Sequence, residues 1–172
     1  MRTILLSALL SCLMSLGCIA DSEAISTEFE KIRADVYAIQ DKAGVKDTIK
    51  VILAPKQMFG ISPIAWTRVY SITQNEIVYG VYIRESFIEE ASPLLIEHIA
   101  WHEICHLVNN DLSKMLTSDM EYAIESGVEK CIFDLVGDVH YQEFIDALQA
   151  WSPKDQILEV ARRKILHTMY KR

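Results

Sequence analysis

Residues 99–111 read Ile99-Ala100-Trp101-His102-Glu103-Ile104-Cys105-His106-Leu107-Val108-Asn109-Asn110-Asp111, and the reading of the middle of this run decides the rest of the chain. On a helix His102 and His106 are four residues apart and lie one turn above each other on the same face. Two imidazoles so placed can bind one zinc ion, while Glu103 falls beside them as a base for a water on that ion. The helix is well marked at both ends. Ser92 and Pro93 supply an N-cap and a first-turn proline, and Asn109-Asn110-Asp111 is where it should stop.

A catalytic zinc normally takes three protein ligands and leaves the fourth position to water. His98 is on the same stripe, but it stands eight residues from His106, about 12 Å along the axis, too far to share a metal with it. It reads as a partly buried, hydrogen-bonded residue. The third ligand therefore has to come from another element. The next helix opens with the capping box Ser118-Asp119-Met120-Glu121 and carries Glu121, Glu125 and Glu129 one turn apart. Glu121 has a capping role; Glu125 is the preferred ligand, and Glu129 the runner-up. If Glu125 is the ligand, Glu129 falls one turn further on, where it can accept a hydrogen bond from a ligand imidazole and fix its tautomer.

Working outward, the pattern predicts an α+β domain. Ile25, Phe29, Ile32, Val36 and Ile39 form an apolar stripe on an opening helix ended by Gly44. Thr48–Ala54, Trp66–Ile72 and Ile77–Arg84 read as strands of a small antiparallel sheet, the last two joined by Thr73-Gln74-Asn75-Glu76. Ile77–Ile83 offers itself for pairing with an extended peptide, or as an ordinary internal strand. After the glutamate helix Gly137 bends or breaks the chain, Val139–Trp151 continue as helix, and Ser152-Pro153 restart it. Ile157, Val160, Ala161, Ile165 and Met169 then mark the apolar face of a final helix, with Arg162, Arg163 and Lys164 on a solvated one.

The first 20 residues read as a secretory signal, with Arg2 ahead of an apolar run from Thr3 to Ala20. Cleavage after Ala20 would release a soluble periplasmic or secreted protein. Cleavage before Cys18, in the looser box Ser15-Leu16-Gly17-Cys18, would leave a lipidated Cys18 and a membrane-anchored lipoprotein. Residues 21–172 then form a single domain of ordinary size. The net charge of −7 would become −8 without Arg2, and an acidic chain with no basic cluster is a poor match to nucleic acid. Beyond the signal Cys105 and Cys131 remain; an exported pair can form one disulfide, but two buried small hydrophobes is the reading taken.

The strand pair, the Ser-Pro-capped helix IAWHEICHLVNND and the following glutamate helix resemble the gluzincin metallopeptidases. The likeness is to the branch with HtpX-like and CAAX-prenyl proteases and their small soluble relatives. The spacing of Glu125 and Glu129 is similar to the Glu-xxx-Asp step of thermolysin-like enzymes, and Asp134 to Gly137 to the Asp-x-x-Gly close of the branch. Lys130, not Glu, stands four before Asp134, which leaves Glu125 and Glu129 both open as ligand. The resemblance implies a zincin-like fold and a zinc-dependent endopeptidase acting on peptide or protein substrates. Glu103 would be the base, and His140 or Tyr141 a second electrophile. Two other readings stand beside it: a zincin-fold envelope protein of weak activity that binds or chaperones, and a helical interaction domain in which HEICH is accidental.

Overall fold

The computed structural model describes residues 27–55, 64–111, 118–151 and 157–172, with side chains from 123 and from 160 onward in the last two stretches. Residues 1–26, which hold the expected signal and Cys18, lie outside the described residues, as do the side chains of Ser118–Glu121. The chain forms α1 (residues 27–43), β1 (Thr48–Ala54), β2 (Ala65–Ile72), β3 (Ile77–Arg84), α2 (Glu85–Glu90), α3 (Pro93–Val108), α4 (Ser118–Val136), α5 (Asp138–Trp151) and α6 (Ile157–Tyr170). This is an α+β arrangement of six helices and a three-stranded sheet. No helix among the described residues is long and apolar enough to cross a membrane.

The sheet corrects two expectations. Its order is β1-β3-β2, and β1 runs parallel to β3, so the sheet is mixed and not antiparallel. The four-residue link between β2 and β3 forces those two to be antiparallel. No such tight turn ties β1 to β2, so β1 can enter beside β3 in the other sense. Consequently β3 is the central strand, hydrogen-bonded on both edges, and has no edge to give to a peptide. Among the described residues β2 leaves its outer edge unpaired by any strand.

Period-two alternation puts Ile49, Val51, Ala65, Thr67, Val81 and Ile83 on the sheet face turned toward the core, and all are buried. α3 lies against β2, and the same core takes in Leu95, Ile96, Ala100, Trp101 and Ile104 of α3, Val128 and Ile132 of α4, and Tyr141, Phe144 and Ile145 of α5. Thr67 is the one polar member of that sheet face. From α1, Ile32, Val36 and Ile39 join the same core, and Gly44 at φ +71 closes that helix. Gly137, at φ +87, separates α4 from α5.

Two further expectations are revised. Cys105 and Cys131 are joined in a disulfide between α3 and α4, not held as separate thiols. Their Cα atoms lie 5.9 Å apart, within bridging range, a proximity set by how the helices cross and invisible in sequence spacing. The second concerns α6. Val160, Arg163, Leu166 and His167 face inward, while Ile165 and Met169 are exposed. The apolar face is rotated from the expected one because Arg163 has a buried partner.

Candidate metal centre

Ser92 accepts a hydrogen bond from the Leu95 amide and Pro93 occupies the first turn, so α3 starts where the sequence places it. One turn of helix then sets the His102 and His106 rings 5.0 Å apart, edge to face. α4 brings Glu125 to both. His102 Nε2 is 3.3 Å from Glu125 Oε2, and His106 Nε2 is 3.7 Å from Glu125 Oε1. One donor atom from each of the three residues lies within 4.8 Å of the others.

These spacings can be tested against zinc. Ligand bonds of 2.0–2.2 Å at tetrahedral angles set neighbouring donors about 3.3–3.6 Å apart. The 3.3 and 3.7 Å separations are close to that value but end on different oxygens of Glu125, and the full set of three donors lies within 4.8 Å, so the three side chains would draw together around an ion. The electrostatics agree. Burial alone would lower the His102 pKa, but hydrogen bonding to Glu125 and Glu129 and the charge of Glu103 push it up to about 10. The pocket strongly favours a cation at this point, and a metal ion bound there would take the place of the proton.

Each ligand imidazole has a carboxylate on its other ring nitrogen. His102 Nδ1 faces Glu129 Oε1 at 3.6 Å, and His106 Nδ1 faces Asp111 Oδ2 at 3.6 Å. At 3.6 Å these are ion-pair approaches and not hydrogen bonds; with a slightly closer approach such carboxylates would orient metal-ligating histidines. Asp111 reaches back because Asn110 adopts φ +52 just after the helix ends, a left-handed turn that Asn tolerates better than most residues. Glu129 is fully buried and heavily engaged. Its Oε1 receives Arg163 through Nε at 3.0 Å and through a terminal nitrogen at 2.9 Å, and its Oε2 accepts the Tyr141 hydroxyl at 2.7 Å. Burial opposes ionisation of Glu129, yet Arg163 and His102 hold its pKa well below the ordinary carboxylate value. Glu125 is also lowered: burial again opposes, but the two histidines and the nearby Arg162 outweigh it.

Glu103 lies beside the cluster on α3 and is buried. The Thr67 hydroxyl donates to its Oε2 at 2.9 Å and also lies 3.3 Å from its backbone carbonyl oxygen. The structure thus brings His102, Glu103, His106 and Glu125 together, with Glu129 in the orienting place. His140 is engaged elsewhere: Nε2 meets Glu97 at 3.0 Å and Nδ1 meets Glu143 at 2.7 Å. Tyr141 points its hydroxyl at Glu129. His98 is fully buried where the sequence suggests partial burial with hydrogen bonds; neither ring nitrogen has a hydrogen-bond partner, and burial drives its pKa down to about 3.

Sequence reading missed Thr67, Asp111 and Arg163. A threonine at an inward strand position and a buried-length acidic residue right after a helix stop were the available signals for the first two; Arg163 had none. Comparisons with protein-family models, characterised proteins and solved structures gave no match.

Proposed function

We propose that this chain is a zinc-dependent endopeptidase with a zincin-like fold, working outside the cytoplasm. The observation that carries the reading is the convergence of two imidazoles and the Glu125 carboxylate, with donor atoms within 4.8 Å of one another, and Glu103 adjacent but outside the ligand set. Glu103 stands outside the ligand set and outside helix capping; Thr67 holds one of its carboxylate oxygens, and proton transfer is the chemistry assigned to the other.

His102, His106 and Glu125 would hold the metal. Zinc so bound supplies a Lewis acid that acidifies water and polarises a carbonyl oxygen. Glu103 takes the proton from the attacking water and passes it to the leaving amine. Thr67 occupies Oε2 of Glu103 and thereby leaves Oε1 for the water. Glu129 and Asp111 keep both imidazoles turned with Nε2 toward the shared centre. The substrate strand pairs with β2, because β3 is enclosed and Thr67 of β2 touches Glu103.

Two measurements test this together. Purified protein freed of residues 1–20 should hold one zinc per chain and cleave an unfolded protein such as casein. Glu103→Gln should keep the zinc and lose cleavage by a factor of about 10² to 10⁴, the usual contribution of a positioned base. Full cleavage by that variant removes Glu103 from the mechanism, and a zinc-free native protein removes the metal.

A further inference from the structure

Cys105 immediately precedes the ligand His106, and its bridge runs to Cys131, two residues beyond Glu129 and six beyond Glu125. The loop closed by the bridge therefore contains His106, Asp111, Glu125 and Glu129. This matters because the ligands are not equally secured. His102 and His106 are fixed relative to each other by the helix they share. Glu125 stands on a different helix, so its distance from them depends on how α4 lies against α3.

The non-covalent ties between the two helices are an apolar seam that includes Ile104, Val128 and Ile132, and the polar contacts of the site itself. An apolar seam is non-directional. Glu129, the buried carboxylate that spans both helices, is held chiefly by Arg163 on α6 and Tyr141 on α5. The disulfide is the one covalent tie between α3 and α4 among the described residues, and it is anchored one residue from a ligand.

We infer that the Cys105–Cys131 disulfide is the clamp that sets the third ligand against the two histidines, so that the site reaches full zinc affinity only once this bridge has formed. The inference rests on the zinc reading above. Without the bridge, the core shared by the sheet and the helices keeps the chain folded, while α4 samples positions in which Glu125 is out of reach. Apparent affinity then falls in proportion to the fraction of molecules with all three donors in place. Metal loading would follow oxidation: the chain holds zinc weakly where thiols are kept reduced and tightly where disulfides persist. Cys131 is only half-buried, which gives a reductant a route to the bond. Reduction by a phosphine breaks the S–S bond, places one hydrogen from water on each sulfur, and leaves the phosphine as its oxide.

The test uses the protein without residues 1–20 in three forms: oxidised, phosphine-reduced, and the double variant Cys105→Ala, Cys131→Ala, which removes free thiols as alternative zinc ligands. Zinc affinity is measured by competition with a chromogenic chelator, and helix content by far-ultraviolet circular dichroism. The expected result is unchanged helix content with affinity at least about tenfold weaker in the double variant, and the same direction on reduction; tenfold is the lower end of what loss of an orienting partner does to a metal site. Affinity within twofold of the oxidised protein in the double variant overturns the clamp. So does loss of helix content along with the zinc, which would make the bridge a staple of the whole fold. Absence of zinc from the oxidised protein as well would overturn the zinc reading itself, a result distinct from either.

Discussion

α3 and α6 meet at the same residue, Glu129, and they reach it from opposite degrees of legibility. α3 carries its geometry in its letters: two histidines and a glutamate at fixed offsets, a capping serine, a first-turn proline. α6 carries a pattern that points the wrong way. Its apolar residues at 157, 160, 161, 165 and 169 suggest one face, yet the face that packs is Val160, Arg163, Leu166 and His167. The difference teaches that a ligand motif is a local statement, complete within one turn of helix, whereas a buried charge is a statement about a partner. Arg163 is inward because Glu129 is there, and nothing in α6 says so.

The largest expected effect tests that dependence. Arg163→Met keeps the length and loses the charge, leaving Glu129 buried without its main counter-ion. Breaking such a pair on one side costs about 3–5 kcal/mol, and the urea midpoint should fall accordingly. Restoring neutrality with Glu129→Gln in the same chain should recover part of the loss, since two uncharged groups can share that space at lower cost. A midpoint that does not move would mean Arg163 is not what holds Glu129 in place.

Next in size is the carboxylate that faces His106 just past the end of α3. Asp111→Asn should weaken zinc binding about 10- to 100-fold, the range for loss of a partner to a ligand histidine, or about 1.4–2.8 kcal/mol. Glu125→Ala should do more, since it removes a ligand outright. Chelator competition reads both. Equal zinc affinity for Asp111→Asn and the parent would show that His106 needs no such partner.

His98 gives an effect of similar scale but with a pH signature. Unfolded, it takes up a proton near 6.5; folded, burial lowers that to about 3. Between those values the unfolded chain binds more protons, so stability falls as the pH drops through that window. From pH 7 to pH 5 the difference is about 2 kcal/mol. In the zinc-loaded protein His98→Leu should lose less stability over that interval than the parent by about that amount. It removes no hydrogen bond made by the ring. Parallel stability curves for the two proteins would place His98's proton uptake elsewhere.

Much of the scaffold was readable because its signals are local. β1 runs Thr48–Ala54 as the β-branched alternation suggests, β3 runs Ile77–Arg84, and α3 starts after the Ser-Pro pair. The pairing of His102 with His106 was readable for the same reason: spacing four on a helix is geometry in itself. What could not be read are relations between elements. The parallel sense of β1, the approach of Cys131 to Cys105, the inward hydroxyl of Thr67 under Glu103 and the reach of Asp111 to His106 all depend on where a second segment lies. Asn110 shows the boundary well. Its sequence marks a helix stop, while its left-handed turn, which aims Asp111, appears only in three dimensions.

The smallest effect belongs to the residues that made α6 misleading. Ile165 is 63 % exposed, and Met169 projects beside it one turn on. On the packing seen here, Ile165→Ser should change stability by no more than about 0.5 kcal/mol, as surface substitutions do. On the face expected from the apolar pattern, the same change would remove a core side chain and cost several times more. A small measured value therefore supports the rotation of α6 that turns Arg163 inward. A loss above about 1 kcal/mol would put Ile165 in the core and Arg163 in solvent, and Glu129 would then have only Tyr141 and His102 to keep its charge buried beside the histidine pair.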